Sequence, residues 1–205
     1  PSTFFGRLDL TTGECEPILT AAEGTWIYPL FYYRGQFWSP SLLTLVATST
    51  PKRHAQNTLL VIQTDREHTT EWTAPKGRVR SFAWTDDSPA LLRVLTVNPG
   101  FLYAVSVSQE SAAEDEGLGI PALDAADYAM LSPAGDRAIG FAGRGAGPFY
   151  VDFADPRSPH ALKLDDQRDA GKMRVGWALW SPKGSYVALL LRQGDSQDYG
   201  LYVGD

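Results

Sequence analysis

Two arginines and an aspartate recur in this sequence at a near-constant interval. Arg34, Arg80 and Asp127, with Gly176 in the next place, stand 46, 47 and 49 residues apart. Arginines at matching places of a repeat could meet as a fork for a carboxylate, because the guanidinium presents paired donors in one plane. They could also serve the repeat itself, with Arg34 or Arg80 paired to Asp127 or another carboxylate. Arg78 lies close to Arg80, and Lys172 and Arg174 lie close to Gly176, adding positive charge. Tyr32, Tyr33, Tyr128 and Trp177 add aromatic faces in the same neighbourhoods.

Other groups that could do chemistry do not converge. The three histidines, His54, His68 and His160, show no pair at a metal-ligand spacing. They read as loop histidines. No Gly-x-Ser-x-Gly elbow occurs, so a hydrolase site of that type is not expected. The run Gly-Arg-Gly-Ala-Gly-Pro at 143–148 opens no helix and reads as a hairpin loop, not a phosphate cradle. Asp195, Gln197 and Asp198 offer too few oxygens for a calcium ion. Cys15 is alone, which excludes an internal disulfide and a cysteine-rich zinc site. The acidic stretch 109–127 reads as a solvated, mobile insertion holding a short strand, or as a docking loop for a basic partner. No metal and no cofactor are expected.

A net charge of −6 argues against general nucleic-acid binding, which needs a basic face. No run of 18 apolar residues occurs, so no membrane-spanning helix is expected. The aromatic share of 12%, with 19 Gly and 14 Pro, favours strands joined by tight turns.

The elements that must carry Arg34, Arg80 and Asp127 follow from the period. Trp38, Trp84, Leu131 and Trp180 each precede a turn and then an apolar strand, again 46, 47 and 49 residues apart. A period in the forties marks a repeat architecture. Each unit reads as an inner strand ending at that anchor, a Ser/Pro/Asp/Gly turn, and a second strand apolar on both faces. A third strand follows ("TLLVIQT", "FLYAVSVS", "PFYVDF", "YGLYVG"), then a weaker fourth. Four antiparallel strands per unit make a β-propeller blade. Strands at 3–20 form a partial blade; 27–74, 79–122 and 127–164 are complete blades; 175–205 is incomplete. That count fits neither a closed four-blade ring nor a five-blade one. The chain is therefore expected to be part of a larger ring completed by more of the same polypeptide; the alternative is a closed ring with a surplus edge strand. Trp38, Trp84 and Trp180 should wedge between blades, each burying on the order of 150–250 Å². Leu131 should fill the same place with less area. Arg34, Arg80, Asp127 and Gly176, each four positions before an anchor, would start the inner strands and crowd one mouth of the channel. Arg93, inside an apolar strand, should find a buried partner.

"WSPKGSYVALLL…YGLYVGD" and "LSPAGDRAIGF…FYVDF" resemble the repeat of TolB-type propellers, in phase along the whole chain and most closely in its last two units. The resemblance implies a bacterial, periplasmic or other extracytoplasmic setting and contact with a protein or peptide partner. The expected function is a non-enzymatic scaffold that binds through channel-mouth loops bearing Arg34, Arg80, Asp127, Lys172, Arg174, Tyr32, Tyr128 and Trp177. The alternative is the substrate-gating propeller of a prolyl oligopeptidase-like serine peptidase, whose catalytic domain is not in this chain.

Overall fold

The protein is described by a computed structural model at residues 4–20, 25–28, 38–39, 44–51, 58–63, 68–85, 88–108, 111–113, 116–142, 147–162, 173–193 and 199–204. Among these residues the chain forms five antiparallel sheets, in sequence order. A hairpin of β1 (Phe4–Leu8) and β2 (Cys15–Thr20) comes first. The first four-stranded sheet is β3 (Thr25–Tyr28), β4 (Thr44–Pro51), β5 (Thr58–Gln63) and β6 (His68–Thr73). The second is β7 (Arg78–Thr85), β8 (Ser88–Val97), β9 (Phe101–Ser108) and β10 (Ser111–Ala113), with the short β11 (Leu118–Gly119) also on β9. The third is β12 (Ala126–Leu131), β13 (Arg137–Ala142), β14 (Pro148–Asp152) and β15 (His160–Ala161). The last has three strands: β16 (Met173–Trp180), β17 (Val187–Gln193) and β18 (Tyr199–Gly204).

Three apolar cores lie between successive sheets. Val46, Leu59, Val61 and Trp72 meet Phe82, Trp84, Leu92 and Tyr103 in the first. Leu95, Val97 and Leu102 meet Ala129, Leu131, Ala138 and Val151 in the second. Met130 and Ile139 meet Met173, Ala178, Val187, Leu189 and Leu191 in the third. The alternation of β8 explains the arrangement. Leu92 and Val94 face one core and Leu95 and Val97 the other, because successive side chains leave a strand on opposite faces. The expected two-faced apolar second strand is therefore present. Arg93 lies half-buried between them, its stem close to the backbone of Gly135 in the next sheet.

The anchors behave unequally. Trp84 is 2% exposed and Leu131 is 3% exposed. Trp180 is half-buried, and its indole N–H donates to the Met130 carbonyl of the preceding sheet at 3.3 Å. A second bond ties neighbouring inner strands: the Leu131 N–H donates to Ser81 Oγ at 3.0 Å, buried. Trp38 departs from the expected wedge and is 42% exposed. Its sheet shows why. Ten residues, 29–38, separate Tyr28 from Ser39, against three, 45–47, between their partners Thr48 and Thr44. The pairings at Tyr28 and at Ser39 are thus out of step with each other.

Ser39, Ser132 and Ser181 close the turns after their anchors in one way. Each N–H donates to the carbonyl five residues on, at 2.8 Å. Each Oγ accepts the N–H of that same residue, Thr44, Arg137 or Tyr186, at 3.0–3.3 Å. Gly135 and Gly184 occupy φ of 72° and 70° in two of these turns, where a Cβ would be strained. Ser132 Oγ also donates to Asp136 Oδ1 at 2.7 Å. Partial burial pushes the Asp136 carboxyl up, but the bonds from Ser132 and Arg137 and the Arg137 charge outweigh it and hold it below its ordinary 3.8.

The acidic stretch is less free than expected. β10 is its short strand, but Leu118 and Gly119 then pair with Leu102 and Phe101. Ile120 and Leu123 are fully buried, and the Gly100 N–H donates to Asp124 Oδ1 at 2.9 Å. Its described part is pinned to the second sheet by apolar burial.

Ser81→Ala should lower the unfolding free energy by about 1–3 kcal/mol in urea titration, because it leaves the buried Leu131 N–H unpaired. Asp136 contributes stability above its unfolded value, and loses it as pH falls through the lower folded value. Asp136→Asn should therefore be less stable than the parent at pH 7, with the difference shrinking below pH 3.8 when both are melted across the acid range.

Candidate functional site

Each inner strand from the second sheet onward contains one residue that its partner strand does not match. In β7, Val79 faces Thr96 and Ser81 faces Leu95, which leaves Arg80 over. In β12, Ala126 faces Ala142 and Tyr128 faces Phe141, which leaves Asp127 over. In β16, Val175 faces Leu191 and Trp177 faces Leu190, which leaves Gly176 over. These are β-bulges at one phase of the repeat, and a bulge re-aims the side chain that it carries. The positions picked out by spacing alone are thus structurally equivalent.

The bulges set what is presented. In β7, Val79 and Ser81 are both buried, with half-buried Arg80 between them. In β12 two consecutive residues, Asp127 and Tyr128, are exposed, which an unbroken strand against a core would not allow. The Arg80 guanidinium lies over the Tyr128 ring, 5.0 Å from its centroid. A cation at that distance is held by the ring's negative face. Two expected site residues from neighbouring sheets are therefore in contact, with the Asp127 carboxylate next along the chain.

Arg174 and Trp177 are placed by backbone register, opposite Arg192 and Leu190. Arg34, Lys172, Tyr32 and Tyr33 lie outside the described residues, as do His54, Asp195, Gln197 and Asp198. His68 opens β6 and His160 opens β15, where its ring stacks on Tyr150 at 4.6 Å. Among the described residues no group of three His, Cys, Asp or Glu side chains could hold a metal ion. Burial raises the Tyr103 hydroxyl's pKa, partly offset by its bond to the Lys76 backbone. That group lies in the first core, against Trp72 at 5.5 Å, and serves packing. A concavity of about 830 Å³ on the β1–β2 hairpin is lined by Leu8, Asp9, Glu14, Cys15, Glu16 and Pro17. It belongs to a different part of the chain from the bulges.

The bulge cluster presents a guanidinium steadied by an aromatic ring beside an exposed carboxylate. It holds no nucleophile–base pair.

No protein-family model and no curated protein matches the chain. Solved structures do. An oligogalacturonate lyase in complex with manganese aligns with a TM-score of 0.62 and 15% identity, over 99% of this chain and 54% of that one. TolB from Acinetobacter baumannii aligns with a TM-score of 0.57 and 14% identity, over 98% of this chain and 45% of that one. The hydrazine synthase of Kuenenia stuttgartiensis aligns with a TM-score of 0.57 and 11% identity, over 97% and 55%. The fold is a β-propeller. The chain spans about half the length of these matched chains. Among the described residues its blades are the sheets of two, four, five, four and three strands described above. Propellers with such different names share the frame and not the chemistry, so the likeness carries the fold alone.

Tyr128→Leu should cost no more than about 1 kcal/mol of stability, as expected for a half-exposed cation–π pair. Denaturant titration checks this, and a larger loss would place Tyr128 in the core.

Proposed function

We propose that the chain is part of a propeller ring that acts as a non-enzymatic binding scaffold. Its inner-strand starts, at one mouth of the channel, take a protein or peptide partner. The observation that carries the reading is the shared bulge at 80, 127 and 176. A rigid frame that repeats one irregularity at one phase supplies a set of equivalent side-chain positions, which suits recognition. Arg80 would take a partner carboxylate, Asp127 a partner cation, and Tyr128 an apolar or aromatic group. Arg34, Lys172, Arg174, Tyr32 and Trp177 would extend that surface around the mouth. The chain's match to about half of each aligned propeller chain supports a larger ring.

The test is a peptide array probed with the parent protein and with two charge-removing variants. Arg80→Gln should reduce capture of peptides with carboxylate groups about tenfold, and Asp127→Asn should do the same for lysine-bearing peptides, for the loss of one charged contact each. Both should melt within a few degrees of the parent. An array on which the parent captures nothing, or on which neither variant changes capture, would remove the mouth as the binding surface.

A further inference from the structure

Among the described residues, three cation–ring contacts sit at one end of the blades. Lys76 Nζ lies over the Phe101 ring, 5.1 Å from its centroid. The Arg80 guanidinium lies over Tyr128 at 5.0 Å, and the Arg192 guanidinium over Tyr199 at 5.8 Å. The ladders put all three beside the starts of inner strands. Phe101 faces Thr96, and Thr96 faces Val79, the second residue of β7. Tyr199 faces Arg192, and Arg192 faces Arg174, the second residue of β16. Tyr128 is the third residue of β12. An aromatic ring steadies a cation without neutralising it. At the opposite end of the blades Arg137 is instead paired with Asp136, at 3.4 Å. Lys76 and Arg78 are exposed, and no ion pair among the described residues holds either. The segment that carries them is fixed. The Lys76 N–H donates to the Tyr103 hydroxyl at 3.1 Å. Gly77, at φ 77°, packs so closely on Thr96 and the Pro99 carbonyl that no Cβ would fit. The Cα atoms of Lys76, Arg78 and Arg80 therefore span no more than about 14 Å. Cations held that close repel one another, and an anionic partner relieves the repulsion. A segment already fixed loses little freedom on binding one.

We propose that the partner taken at this end is an acidic polypeptide segment, lying along the start of β7 so that Lys76, Arg78 and Arg80 meet its carboxylates. The inference rests on the mouth being the binding surface, and it names the chemistry of what binds there. Charge complementarity carries the choice. The carboxylates nearby do not offset the three cations: Asp124 accepts the Gly100 N–H at 2.9 Å, and Asp127 is exposed on the next blade. With a net charge of −6 the molecule as a whole repels an acidic segment, so the attraction is local to this end. Asp127 also favours a polypeptide over a nucleic-acid strand. It precedes Tyr128, on whose ring Arg80 rests, and there it would repel a phosphate. A peptide backbone brings N–H groups that can donate to it.

Fluorescence anisotropy of a labelled glutamate-rich peptide should show saturable binding to the protein that weakens as salt rises, because exposed charges are screened. The same peptide with glutamine in place of glutamate should bind about tenfold more weakly. Lys76→Gln and Arg78→Gln should each weaken capture of the acidic peptide about threefold, and the double variant about tenfold. Lys183→Gln removes an exposed charge from the turn between β16 and β17, at the opposite end of the blades, and should leave capture unchanged. An equal loss in Lys183→Gln would overturn the proposal, because net charge alone would then be at work. Undiminished capture in the double variant would overturn it too. So would equal binding of the glutamine peptide, which leaves the mouth a peptide site and removes its preference for acid. Failure to bind the acidic peptide, or tighter binding of a thymidine oligonucleotide, would overturn it as well.

Discussion

The demand that a middle strand be covered on both faces governs this molecule. A strand with apolar side chains on both sides cannot sit at the surface, and a single sheet cannot hide it. β8 solves the problem by dividing its residues between two cores, Leu92 and Val94 on one side, Leu95 and Val97 on the other. Each sheet is thus both a lid for its predecessor and a floor for its successor. At roughly 25 cal/mol per Å² of apolar surface removed from water, these sheet-to-sheet contacts outweigh any single polar bond. The polar bonds between blades set alignment instead. Ser81 to Leu131 and Trp180 to Met130 fix how far one inner strand slides past the next.

That stacking also accounts for the candidate site. Inner strands must converge on an axis while their second strands spread outward. A bulge in each inner strand adds local twist and bend without disturbing the core residues around it. Val79, Ser81, Ala126 and Ala129 stay buried while Asp127 and Tyr128 turn out to solvent and half-buried Arg80 rests on the Tyr128 ring. The irregularity that bends each inner strand is also what turns side chains out to solvent.

Much of this was legible in the sequence because repeat phase is a strong signal. The order of blades, the two-faced second strands and the buried Trp84 all follow from anchor spacing and period-two patterning. The equivalence of positions 80, 127 and 176 was legible too, although the bulge that makes them equivalent was not. A bulge arises from how two strands pair, and neither strand alone records it. Trp38 was misplaced for a related reason. Counting between anchors assumes an unbroken inner strand, while the pairings at Tyr28 and Ser39 are out of step by several residues. The acidic stretch misled because charge hid its apolar content. Ile120 and Leu123 are two residues among many polar ones, yet they decide where the segment lies.

The serine turns work on another scale. Each is closed by bonds that span five residues, within a hairpin whose strands are neighbours in the chain. Nothing distant is required to form one. A hairpin of this kind can take shape while its blade is still incomplete, and the finished blade then offers a template to the sequence that comes after it. Such a polypeptide can assemble in the order of its own synthesis, with little opportunity for blades to join out of turn.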